Sequence, residues 1–209
     1  MVLLRTLLCL GAVSSQADFE KALAVDAPIS GYSVANLAWD IELPAGNDSV
    51  NFTGTIQQVQ AQLKELNPGW AQDFMKKQSA AVGGHGDAHL LARDEPLKVY
   101  CSSLAEKWHY AETSHIKEGI EYLYGSSGKP KNGPGPGACA RLSCSYRSAI
   151  WWCHDNNSEF ELDGYKEVAY AASAIVEKCA RGWQRAVVKG QAFMPGNWNV
   201  VVRHDMASC

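Results

Sequence analysis

The stretch CARLSCSYRSAIWWC, residues 139–153, decides how the chain folds: it carries three cysteines, two arginines and a tryptophan pair in fifteen residues. Taken as mainly extended, one face carries Ala140, Leu142, Cys144, Tyr146, Ser148, Ile150 and Trp152. The other carries Arg141, Ser143, Ser145, Arg147, Ala149 and Trp151. Side chains alternate across a strand, so an apolar face opposite a mostly polar one predicts a half-buried strand, or two strands with a bend near Ser148. On this register Cys144 points into the core, and Cys139 and Cys153 point out.

Two helical patterns flank the stretch. SHIKEGIEYLYG places Ile116, Ile120, Leu123 and Tyr124 on one stripe, with Thr113 or Ser114 as N-cap and Gly125 just past the end. YKEVAYAASAIVEKC puts Val168, Ala172, Ile175, Val176 and Cys179 on a second stripe. The buried position of Cys179 on its helix and of Cys144 on its strand predicts a Cys144–Cys179 bridge. Cys139 and Cys153 are then left for Cys101 and Cys209, in an order the sequence does not fix.

Around these elements LKVYC, AVVKGQAF and NWNVVVRH have strand composition, and Pro195-Gly196 marks a turn between the last two. The element order is strand, helix, strand, helix, strand, strand. That alternation predicts an α+β fold, a disulfide-stapled sandwich of one largely antiparallel sheet with two helices on one face, over residues 97–209. The polar loop GKPKNGPGPGAC before the central strand is read as a connection, with a recognition loop as the alternative.

Upstream, MVLLRTLLCLGAVSSQA has the short apolar run and small-residue end of a secretory signal peptide, assigned to residues 1–17. Cys9 would leave with it, and the remaining six, Cys101, Cys139, Cys144, Cys153, Cys179 and Cys209, are an even set without metal-ligand spacing. Three disulfides are expected, and nothing in the sequence calls for a metal or other cofactor. Residues 18–75 carry a strand-turn-strand-helix pattern ending in TIQQVQAQLKEL, where Thr55 and Gln58 have capping-box spacing. Such a unit is marginal alone, and it reads either as a propeptide or as a permanent N-terminal module. Residues 76–96 are glycine-rich, without apolar period, and read as a flexible linker with basic sites for a processing protease at Lys76-Lys77 and Arg93. Asn47, Asn51 and Asn156 begin glycosylation sequons.

The net charge of −3 arises before residue 94, where 6 basic residues face 9 acidic; beyond it 13 face 13. A neutral C-terminal part lacks the electrostatic footprint for nucleic acid or anionic membrane. No stretch after the signal resembles a transmembrane span, and a monomer is expected. There is no phosphate-binding loop, zinc-protease motif or nucleophile elbow. The nearest acid-base set is His154 with Asp155, Glu159 and Glu161, beside Arg141 and Arg147, the residue types of a small ribonuclease. A solvated strand end is the plainer reading of the same residues, so no catalytic residue is assigned. Trp151 on the polar strand face and Trp198 in the last hairpin are the aromatic candidates for a contact surface, together with Arg141 and Arg147. Burial under a connection or the N-terminal module is the alternative for both tryptophans.

The run FTGTIQQVQAQL, then GPGPGACARLSCSYRSAIWWCHDN, the cysteine-ended helix and the closing WNVVVR resemble small cysteine-rich secreted proteins of filamentous ascomycete fungi. More faintly, element order and cysteine placement are similar to the killer-toxin-like and necrosis-inducing effector families. The resemblance implies a compact α/β sandwich held by disulfides, and a secreted effector or toxin-like role in virulence, exerted by binding a host or competitor protein, membrane component or wall glycan without catalysis. It brings no active-site motif. A small secreted hydrolase and a cell-wall polysaccharide binder stand as the alternatives.

Overall fold

The structure, a computed structural model, describes residues 25–42, 49–83, 95–101 and 108–209. The expected signal peptide, the Asn47 sequon and most of the expected linker lie outside the described residues. The N-terminal elements are β1 (Ser33–Ala35), β2 (Ala38–Glu42), β3 (Ser49–Thr53), α1 (Ile56–Leu66) and α2 (Pro68–Gly83). There follow β4 (Lys98–Tyr100), β5 (Ala111–Glu112), α3 (Thr113–Tyr124), β6 (Lys131–Asn132), β7 (Ala138–Ser145) and β8 (Ser148–His154). The chain closes with β9 (Phe160–Glu161), α4 (Tyr165–Cys179), β10 (Val187–Val188), β11 (Gly190–Met194) and β12 (Trp198–His204).

A six-stranded sheet ordered β1-β7-β8-β12-β11-β4 forms the middle layer. Every neighbour pair is antiparallel except β1 with β7, which is parallel. The helices lie on one face, α3 against β7 and β8 and α4 against β11 and β12. The fold is therefore α+β, with the antiparallel sheet and helix layer that the element order implies. α1 starts with the capping box expected from Thr55 and Gln58. α2 runs on to Gly83, so a helix occupies residues assigned above to the linker.

The N-terminal module shares its core with the rest. Trp39 is fully buried, stacks on Tyr165 of α4 with ring centroids 4.2 Å apart, and donates its Nε1–H to the Gly54 carbonyl. Gln57 of α1 reaches the outer edge of β7, where its amide donates to the Ser143 hydroxyl and its oxygen accepts the Cys144 N–H. A side chain thus stands in for a neighbouring strand along the half of β7 that three-residue β1 leaves uncovered.

The quoted stretch forms the β7–β8 hairpin, with Tyr146 and Arg147 as its turn, but its register departs from strict alternation. Arg141 faces Trp151 and Ser143 faces Ile150, so Leu142 is an extra residue on β7. A bulge moves every later residue of the strand to the opposite face. Cys144 consequently leaves the helix side and joins Cys139, Trp151, Cys153 and Val201 in a second apolar cluster.

This corrects the expected Cys144–Cys179 bridge. The bridges are Cys101–Cys179, Cys139–Cys153 and Cys144–Cys209. Cys139 and Cys153 are direct cross-strand partners with Cα atoms 4.0 Å apart, so they join each other rather than Cys101 or Cys209. Cys179, at the end of α4, meets Cys101 just after edge strand β4. In the chain-entropy account the two loops of 78 and 65 residues are each worth roughly 4 kcal/mol and the short one roughly 3 kcal/mol.

The sheet face away from the helices is also covered, which the alternating pattern does not reveal. Val25, Ala27, Ile29 and Tyr32 pack across it beside Trp108. Trp108 donates its Nε1–H to the Pro28 carbonyl, and Arg203 donates to the carbonyl of Asp26. All of β8 is buried, so the strand is buried on both faces, not half-buried.

Candidate functional site

Several residues singled out from the sequence prove structural. Trp151 has no exposed surface and Trp198 is buried, so neither offers the contact surface expected of it. Trp151 donates its Nε1–H to both carboxylate oxygens of Asp205 at 3.1 Å, and Asp205 also accepts from Arg203 at 2.7 Å and Arg141 at 3.2 Å. Arg141 is thereby withdrawn from the surface as one side of a buried ion-pair network. Arg147 alone of that set is exposed. Of the sequons, Asn51 is exposed and donates to Asp40, whereas Asn156 is half-buried and donates to the Gly196 carbonyl.

The expected acid-base set is likewise not assembled. His154, at the end of β8, is fully buried, and neither ring nitrogen makes a hydrogen bond of good geometry, the Asn132 backbone standing only loosely against the ring. Burial pushes its pKa below the ordinary histidine value, opposed by the Asn132 backbone and the charge of Asp155. Gly133 and Gly135 of the GPGPG loop lie directly on the ring. A Cβ on Gly135 would stand 2.8 Å from His154 Cε1 and closer still to the Asn156 carbonyl. The loop is therefore a cover for a buried imidazole. Glu161 pairs with Lys131 at 3.2 Å, Glu159 is exposed, and Asp155 accepts the Tyr32 hydroxyl at 2.5 Å. That contact follows burial as a cause of the Tyr32 pKa, which is pushed up to about 12. Arg147 precedes β8 while His154 ends it, so the rise of a strand sets them about 20 Å apart.

The exposed aromatic groups sit elsewhere, on two turns that flank the start of α3. In the β7–β8 turn, Tyr146 and Arg147 have φ of +47° and +61°. Two-residue hairpin turns of this kind favour Asn and Gly, because a bulky side chain at positive φ is strained, and such strain concentrates at functional positions. Tyr146 is 77 % exposed and lies on the His115 ring with centroids 4.5 Å apart. His115 is in turn held between Glu112 at 3.4 Å and Glu118 at 3.2 Å. Beneath the turn, the Asp205 N–H donates to the Arg147 carbonyl, and the Arg147 N–H lies 3.1 Å from the Cys209 sulfur.

The second turn follows α4. Gln184 and Arg185 have φ of +52° and +56°, and the preceding Trp183 is 85 % exposed, the most exposed large apolar side chain described. Arg181 and Val187 close this turn through paired backbone hydrogen bonds. Arg185 folds back so that its guanidinium donates to the Val176 and Glu177 carbonyls, filling acceptors that a helix C-terminus leaves open. Tyr110 lies between two cations, Lys189 at 4.7 Å and Arg181 at 5.0 Å from its ring centroid. The turn is joined to α3 by the β5–β10 pair and by the Thr113 N–H, which donates to the Ala186 carbonyl.

The two turns beside the start of α3 therefore present an exposed Trp, an exposed Tyr and exposed arginines on hydrogen-bonded backbone. These residue types dominate the energetic centres of protein interfaces. Trp183 stands in the glycine-containing interval ARGWQRA between a helix and a strand, where no periodicity singles it out. Strict alternation, continued through the turn, puts Tyr146 on the core face, whereas the turn exposes it. Among the described residues no cluster of His, Cys, Asp or Glu is arranged to hold a metal ion, and no helix is long and apolar enough to cross a membrane.

Fold and surface together define a small cysteine-rich α+β protein stapled by three disulfides, the make-up of a secreted protein. Comparison of the chain with protein-family models, with curated proteins and with solved structures finds no match.

Proposed function

We propose that this is a secreted effector or toxin-like protein that acts outside the cell by binding a host or competitor target, without catalysis of its own. The observation that carries the reading is the pair of exposed aromatics, Trp183 and Tyr146, on turns held at positive φ. Exposing a large ring in a strained backbone has a stability cost, and a binding role accounts for both features together. Disulfide bridging supports an oxidising, extracellular setting for that role. A hydrolytic role through His154 is disfavoured, because its ring nitrogens are enclosed beneath the GPGPG loop and neither glutamate is held against them.

The test is electrolyte leakage from plant leaves infiltrated with the oxidised full chain lacking its signal segment, beside the reduced and alkylated protein and a Trp183→Ala variant. Leakage from the oxidised protein, lost on reduction and weakened in the variant, is the expected result. No leakage in any of several plant species, with no growth inhibition of competing fungi, counts against the toxin-like reading.

A further inference from the structure

A groove of about 570 Å³ runs between α3 and α4, within the usual range for small-ligand sites and in a usual place for them, between packed helices. Its floor is apolar, built from Ile120 of α3 with Val176 and Ala180 at the end of α4. At one end stands Thr113, which is 95 % buried, since only 5 % of its surface is exposed, and whose hydroxyl has no hydrogen-bond partner. Leaving such a hydroxyl unsatisfied is unfavourable, and a ligand oxygen at that point would relieve it.

The charges around the groove are not evenly spread. Lys117 lies one turn along α3 from Thr113 on the same face, and it forms no ion pair among the described residues. Arg185 stands at the same end, its guanidinium against the Val176 and Glu177 carbonyls. No side chain caps this end of α3, whose dipole favours negative charge. Glu112, just before Thr113, is paired with His115, and of the carboxylates in the lining Glu177 is the one toward this end, where Lys117 and Arg185 also line the groove. At the far end the lining turns to Glu121, Tyr124 and Ser173, where an anion is repelled.

We propose that the groove binds an amphiphile with a single carboxylate head and an unbranched aliphatic tail, of the fatty-acid class. The carboxylate lies between the Thr113 hydroxyl and the Lys117 ammonium, and the tail lies along Ile120 and Val176 toward Tyr124. This site is separate from the contact role given to Trp183 and Tyr146, and neither reading depends on the other.

The experiment is fluorescence titration of the oxidised full chain with a dansylated undecanoate, followed by displacement with dodecanoate or dodecanol. Saturable micromolar binding is expected, displaced by the acid and much less by the alcohol. Lys117→Gln, an exposed change that leaves the core intact, should weaken binding about tenfold by removing a charge-assisted contact. Val176→Trp, with folding checked by thermal melting, should abolish it by filling the floor. Absence of saturable binding overturns the proposal. So does binding that the alcohol displaces as well as the acid and that Lys117→Gln leaves unchanged.

Discussion

Asp205 offers the sharpest test of the buried network behind the central hairpin. Its carboxylate is 1 % exposed and accepts four hydrogen bonds: two from Trp151, one from Arg203 and one from Arg141. Asp205→Ala leaves two guanidinium groups, with side chains 10 % and 15 % exposed, facing each other without a counter-charge, and strands the indole N–H. Removing one partner of a buried ion pair typically costs about 3–5 kcal/mol. Here Arg141 keeps a contact to the Ser208 carbonyl and Arg203 keeps the Asp26 carbonyl, so the lower end, about 3 kcal/mol, is expected. Asp205→Asn retains an acceptor but loses the charge, and should cost less. The assay is guanidinium unfolding with disulfides intact, in which the alanine variant should lower the midpoint by about 0.5–1 M. A loss below about 1 kcal/mol, the value of an exposed ion pair, would refute the reasoning.

Three further outcomes follow from the packing. His154 has a depressed pKa in the folded state, so the unfolded chain binds the extra proton first: stability is full above about pH 6.5 and falls as pH drops toward the folded value, by at most about 1.4 kcal/mol per pH unit. His154→Leu should flatten that part of the slope in urea titrations at pH 7.5 and 5, and an unchanged slope would contradict the burial. Gly135→Ala forces a methyl into the His154 ring and the Asn156 carbonyl, and should cost about 1–3 kcal/mol by the same unfolding assay. Trp39→Ala removes the ring stacked on Tyr165 and should destabilise the whole molecule by about 3–5 kcal/mol in one cooperative transition; a second, separate transition would show that the N-terminal module folds apart from the sheet.

Much of the scaffold was legible because it depends on local rules. The capping box at Thr55 and Gln58, the apolar stripe ending at Cys179, the Gly125 stop and the Pro195-Gly196 turn all occur where the sequence places them. The disulfides were not legible, because a single extra residue at Leu142 inverts the face of Cys144 and leaves no trace in a pattern that still alternates. The two tryptophans at 151 and 152 show the other limit. Period-two alternation separates them onto opposite faces but cannot tell whether the second face is open, and residues more than a hundred positions upstream close it. Trp183 was missed for the converse reason: a loop tryptophan carries no periodicity, and its exposure depends on how Arg181 and Val187 pair around it.

The contact surface is the central claim, and it rests on two side chains whose removal should leave the core untouched. Alanine at both Trp183 and Tyr146 removes exposed rings and keeps the Cβ that positive φ strains at Tyr146, so the backbone is left as it was and the melting temperature should change little. The most direct measurement is the saturable binding of labelled, oxidised protein to the outer surface of intact plant and fungal cells, with the double variant beside it. The account predicts saturable binding by the native chain and at least about a tenfold weaker affinity for the variant at equal thermal stability. Equal binding by the two proteins would contradict it.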